Sequence, residues 1–113
     1  MQRLIVTEAW TSTYDDPIVV APGEHVSVGR RDVAWPGFVW CIGSGGEEGW
    51  VPEEALMFEG DSSAIVARSY DAQELTVRVG DSVRATESIA GWTWCEGDDG
   101  RAGWVPDRCL RGG

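Results

Sequence analysis

The stretch Trp40-Cys41-Ile42-Gly43-Ser44-Gly45-Gly46-Glu47-Glu48-Gly49-Trp50-Val51-Pro52-Glu53-Glu54-Ala55-Leu56 decides the fold, because it returns 54 residues later as Trp94-Cys95-Glu96-Gly97-Asp98-Asp99-Gly100-Arg101-Ala102-Gly103-Trp104-Val105-Pro106-Asp107-Arg108-Cys109-Leu110. Nine of the 17 positions are identical, two Trp, a Cys and a Pro among them. Rare residues recurring in register mark a duplicated unit. Working outward, Gly23-Glu24-His25-Val26 matches Gly80-Asp81-Ser82-Val83 at an offset of 57, and Ile5-Val6 matches Ile65-Val66 at an offset of 60. The second copy is thus shorter by three residues at each of two places, as loops tolerate. This reading gives one domain over residues 1–58 and another over 63–113, with 59–62 as a short polar linker.

Within each copy the pattern is all-β. Ile18-Val19-Val20 and Leu75-Thr76-Val77-Arg78-Val79 are β-branched and close on a Gly followed by an acid, a strand ended by a turn. Phe38-Val39-Trp40-Cys41-Ile42 and Trp92-Thr93-Trp94-Cys95 read as the next strand, Ser44-Gly45-Gly46 and Asp98-Asp99-Gly100 as hairpin turns, and Gly49-Trp50-Val51 and Gly103-Trp104-Val105 as strands stopped by Pro. Helical periodicity is confined to a single turn after each Pro. The expectation is two small barrels of about five strands each. Alternation places Val6, Ile18, Val20, Val26, Cys41, Val51 and Leu56 in the first core, and Val66, Leu75, Val77, Val83, Cys95, Val105 and Leu110 in the second.

Composition narrows the function. The 113 residues carry nineteen acids and nine basic residues, all Arg, for a net charge of -10. Nucleic-acid backbones and anionic membranes reward clustered cations, so neither is an expected partner. The N-terminal apolar run is too short for a signal peptide and no stretch is long enough to span a bilayer, which predicts a cytoplasmic location. Cys41, Cys95 and Cys109 lack C-x-x-C spacing and read as small apolar core residues. The lone His25 has no nucleophile and orienting acid in pattern with it, and carboxylate pairs such as Asp98-Asp99 fall on exposed loops. Hence no catalytic residue, metal or cofactor is expected.

Gly91-Trp92-Thr93-Trp94 with Gly103-Trp104-Val105-Pro106 resembles the paired-Trp strand and Gly-aromatic-aliphatic-Pro ending of the Src-homology 3 (SH3) domain, and Ser69-Tyr70-Asp71-Ala72-Gln73-Glu74-Leu75 resembles the end of its ALYDY segment. The chain is therefore similar to a tandem of SH3-like barrels of the bacterial variant type, Trp10 standing where the second copy has Tyr70. The resemblance implies aromatic grooves that hold an extended, proline-rich or basic peptide or an unidentified protein. Carried over by position, the first groove is Trp10, Tyr14, Asp15, Asp16, Phe38, Trp40, Trp50 and Pro52, the acids facing a ligand Arg, and the second is Tyr70, Trp92, Trp94, Trp104 and Pro106. The first groove is the favoured one, since its loop is full length. Glu8 and Arg68 replace one groove tyrosine and Ala55 and Cys109 another, which predicts weak binding. Two further readings follow from the same residues: a cell-wall-binding bacterial SH3 module, and a structural or weakly self-associating protein with its Trp buried between domains.

Overall fold

The computed structural model describes residues 2–13 and 16–112. Its elements, in chain order, are strands β1 Gln2–Val6, β2 Val19–Val20, β3 His25–Arg31, β4 Phe38–Ile42, β5 Glu48–Pro52 and, after a 3-10 turn at Glu53–Ala55, β6 Leu56–Phe58. They continue with β7 Ser63–Val66, β8 Tyr70–Asp71, β9 Ser82–Ile89, β10 Trp92–Gly97, β11 Ala102–Pro106, a 3-10 turn at Asp107–Cys109 and β12 Leu110–Gly112. The fold is all-β, with antiparallel sheets of the kind SH3-like domains contain. The single helical turns sit directly after Pro52 and Pro106, where the ring cannot donate to the ladder.

The strands do not sort into the two sequential halves. One five-stranded sheet runs β11-β10-β9-β1-β12 and another runs β5-β4-β3-β7-β6, with a two-stranded sheet of β2 and β8. The chain divides into one compact unit of Met1–Asp15 with Gln73–Gly113, and a second of Asp16–Ala72. Strands β1 and β7, matched in the two copies, have therefore changed places, and the expected division at 59–62 is replaced by crossings near residues 15 and 73. The split unit holds both ends of the chain. The contiguous unit, 16–72, is a circularly permuted version of the same barrel.

The physical reason lies in the stretch read as a linker. Strands β6 and β7 form an antiparallel hairpin with Leu56 opposite Val66 and Phe58 opposite Ala64. Glu59 N–H donates to the Ser63 carbonyl at 2.8 Å, the Ser63 hydroxyl donates back to the Glu59 carbonyl at 2.9 Å, and Gly60 takes a φ of +86°. Three polar residues and a Gly at positive φ turn the chain straight back on itself, so β7 pairs where it emerges.

The cores follow the expected alternation with one exchange. Val6 packs with Leu75, Val77, Val83, Cys95, Val105 and Cys109 in the split unit, Leu110 being only partly buried against them. Val66 is buried in the contiguous unit, where its N–H donates to the Glu24 carbonyl at 2.8 Å. Ile18, Val20, Val26, Cys41, Val51 and Leu56 are buried as expected. Gly49 and Gly103 let the loop strand cross β5 and β11 closely: a Cβ on Gly49 would lie 2.7 Å from Ile18 Cγ2, and one on Gly103 only 2.6 Å from the Glu74 carbonyl carbon.

Candidate functional site

Each unit carries a cross-strand ring pair on the face of a hairpin turned away from its own core, and pleating explains why. Along β4, Val39 and Cys41 point into the core and are fully buried, so Trp40 between them faces out. Its cross-strand partner is Trp50, just as Trp94 pairs with Trp104 in the other unit. The rings of Trp40 and Trp50 meet edge to face, with centroids 5.1 Å apart at 81°, and those of Trp94 and Trp104 meet at 5.3 Å and 80°. This is the preferred arrangement of two ring quadrupoles.

The corner between Trp40 and Trp50 is occupied. The guanidinium of Arg30 lies 5.0 Å from the Trp40 ring centre and 5.2 Å from that of Trp50, within the range of cation–π attraction. A bulge between Val28 and Arg31 aims it there. Trp40 Nε1 donates to Glu48 Oε1 at 3.0 Å, which fixes the ring and brings a carboxylate to the corner's rim. In the other unit the residue opposite Trp94 is Glu87, so strand β9 brings a carboxylate where β3 brings a guanidinium.

Trp10 is placed in the split unit, and this corrects the first groove. Its ring meets Trp92 edge to face at 5.4 Å, its Nε1 donates to Glu74 Oε1 at 3.0 Å, and the Arg108 guanidinium lies 5.6 Å from its centre. Glu74 also accepts from the Thr13 N–H and hydroxyl, each at 3.0 Å. Tyr70 conversely belongs to the contiguous unit, its strand paired with Val20. The exchange of β1 and β7 has thus carried each copy's loop aromatic into the other copy's barrel. Phe38, Trp40, Trp50, Pro52, Asp16 and Tyr70 fall in the unit 16–72, while Trp10, Trp92, Trp94, Trp104 and Pro106 fall in the split unit. Tyr14 and Asp15 lie outside the described residues.

Burial separates these residues further. Phe38, Pro52, Tyr70, Trp92, Trp104 and Pro106 are buried, whereas Trp10, Trp35, Trp40, Trp50 and Trp94 are half-buried and Asp16 is exposed. The ring surface open to a partner is therefore on the second group. Sequence reasoning missed Arg30, Glu74 and Arg108. The only signal for Arg30 was an unpaired difference between copies, Arg against Glu87 at matched positions.

The three thiols are free and buried. Burial pushes Cys41 up to about 11, and burial with the nearby Asp107 carboxylate pushes Cys95 up to about 11. A thiol held protonated is a poor nucleophile. Among the described residues no helix is long and apolar enough to cross a membrane.

Residues 64–111 match the family model described as the variant SH3 domain. No curated protein and no solved structure matches the chain. Domains of that family are generally non-catalytic modules of protein interaction.

Proposed function

From the match of residues 64–111 to the variant SH3 domain model, we propose that the chain binds an extended peptide bearing a basic side chain, held on the Trp40–Trp50 corner of the unit 16–72. One observation carries the reading: the chain's own Arg30 guanidinium sits almost equidistant from both rings. The corner has the size and electrostatics of a guanidinium site, and Arg30 is its internal occupant. A ligand Arg or Lys takes the place of Arg30, with Glu48 at the rim to meet its charge.

The charge of the unit supports a basic partner. Residues 16–72 hold ten acids and three Arg, a field that steers cations and repels acidic chains. Flat indole faces suit the ridges of an extended, proline-containing chain because both are stiff before they meet. The split unit offers a second surface on Trp10 and Trp94. The missing groove tyrosines and the need to displace Arg30 keep affinity weak, on the order of micromolar or poorer.

The test is an NMR titration that follows the Trp indole N–H signals as a proline-rich peptide with one Arg is added, alongside its Arg→Ala counterpart. Trp40 and Trp50 signals should shift with the Arg peptide, and Arg30→Ala should tighten binding roughly three- to tenfold by vacating the corner, each factor of ten being about 1.4 kcal/mol. Equal affinity for the two peptides, or shifts confined to other indoles, would overturn the assignment.

A further inference from the structure

The two copies differ at the positions that meet their exchanged segments, and those differences sort the segments. In the split unit, Glu8 Oε2 accepts from Arg108 Nε at 3.1 Å. The residue matching Glu8 is Arg68, at the offset of 60, and the residue matching Arg108 is Glu54, at the offset of 54. Exchange therefore sets Glu8 against Arg108 and, by the same matching, carries Arg68 to the segment of Glu54, where the Arg68 N–H donates to the adjoining Ala55 carbonyl at 3.4 Å. Sequential pairing would bring Arg68 to Arg108 and Glu8 to Glu54, like charges at both.

A second contact sorts in the same direction. Glu74 gathers the N-terminal segment through the Trp10 indole and both polar groups of Thr13. Its match in the contiguous unit, at the offset of 57, is Pro17, whose side chain has no acceptor for an indole N–H. Apolar pairing makes no such distinction, since Val6 and Val66 are both fully buried and stand opposite Leu110 and Leu56 at matched places. The family match itself runs unbroken from β7 to β12. The slot beside β9 and β12 accepts either strand by shape.

We propose that Glu74 and Arg108, with Glu54, act together with the turn at residues 59–62 to select the exchanged topology: they admit residues 2–13 to the split unit and reject the matched segment 63–72. They act by making the competing pairing electrostatically and hydrogen-bond deficient, a penalty on the alternative as much as a gain for the native pairing. This selection is independent of the ligand reading above. It decides which aromatic residue, Trp10 or Tyr70, completes which barrel.

The full-length chain can report its own topology by thiol bridging. In the exchanged fold Ile5 stands opposite Arg111, so a chain with Ile5→Cys and Arg111→Cys, bridged by a short thiol-specific reagent, reports that topology, and one with Ile65→Cys and Arg111→Cys reports the sequential one, in which the same register sets residue 65 opposite 111. The native thiols are buried, and omitting the reagent from matched samples gives the background. Introducing Glu74→Ala, Arg108→Glu and Glu54→Arg should raise bridging of the 65/111 pair at least tenfold and lower that of the 5/111 pair. A protein that circular dichroism shows to be folded β, yet whose bridging is unchanged, would overturn the proposal. Should the triple variant unfold, Arg108→Glu with Glu54→Arg alone must still shift the ratio in the same direction, and an unshifted ratio there also overturns it.

Discussion

The strands β4–β5 and β10–β11 are the same hairpin built twice, with Trp opposite Trp and Pro52 and Pro106 opposite Phe38 and Trp92. What differs is the chemistry hung on matched positions. Arg30 stacks on one ring pair while Glu87 stands opposite the other. Arg31, Val39 and Glu53 in one unit become Ser88, Thr93 and Asp107 in the other. A duplicated backbone thus keeps its packing and register while its polar positions diverge, because the core fixes the first and solvent tolerates change in the second.

The largest expected effect comes from the glycines, which test whether the two loop crossings are equally tight. A methyl on Gly103 would press on backbone, 2.6 Å from the Glu74 carbonyl carbon and 2.7 Å from the Leu75 nitrogen. The crossing there is held by Trp104 N–H to the Gln73 carbonyl at 2.9 Å and Leu75 N–H to the Trp104 carbonyl at 3.1 Å. Gly49 faces mainly the Ile18 side chain, which can give way. Gly103→Ala should cost about 3 kcal/mol and Gly49→Ala about 1 kcal/mol. Urea unfolding of both variants checks the order, and equal losses would mean the crossings are equivalent.

Next in size is a pH effect that both units should share. Cys41 and Cys95 have thiols raised from 9.0 to about 11 in the folded chain. A group whose folded pKa lies above its unfolded value stabilises below the unfolded pKa and loses that contribution as pH rises through the folded one. Stability should therefore hold up to about pH 9 and fall between 9 and 11, by about 2 kcal/mol for each thiol. The chain has no Lys to titrate in that window, and the Cys109 thiol, raised by burial and the nearby Glu8 carboxylate, adds to the fall. Thermal unfolding as a function of pH, repeated on Cys41→Ala with Cys95→Ala, should show a lower but flatter profile for the variant.

How far the sequence disclosed this molecule varies by scale. The hairpins, their Gly turns and the inward-facing Cys41 and Cys95 were legible because they are local and periodic. The exchange of β1 and β7 was not, because period-two alternation states which face a residue shows and never which sheet receives it. Ile5-Val6 and Ile65-Val66 are interchangeable by that criterion. Two signals were in plain view: Glu59-Gly60-Asp61-Ser62, a hairpin turn read as a linker, and the opposed charges of Glu8 and Arg68 and of Glu54 and Arg108 at matched positions. Since Trp10 and Tyr70 ride on the exchanged segments, the groove memberships moved with them, whereas Trp40, Trp50, Trp94 and Trp104 stayed with their own hairpins. Arg30 was hidden for a different reason: its aim depends on a bulge, and bulges leave little trace in a residue pattern.

The smallest expected effect compares the three matched positions beneath the 3-10 turns. In the split unit Thr93, only 6% exposed, donates its hydroxyl to Asp107 Oδ1 at 2.6 Å and shares a hydrogen bond of 3.0 Å with the Ser88 hydroxyl. In the contiguous unit Val39 is apolar at that place and needs no partner, while Arg31 and Glu53 join above it in an exposed ion pair. Asp107→Ala strands part of a buried hydroxyl, whereas Glu53→Ala removes a solvent-screened contact and leaves nothing buried unmet. Asp107→Ala should cost about 1.5 kcal/mol and Glu53→Ala about 0.5 kcal/mol or less, the latter vanishing in high salt. Making the split unit apolar at both ends, with Thr93→Val in the Asp107→Ala background, should recover most of the loss, because no buried donor then lacks an acceptor. Equilibrium unfolding at low and high salt reads all three. If Thr93→Val adds to the damage instead of relieving it, the hydroxyl is held by Ser88 alone and Asp107 acts through the backbone of its turn.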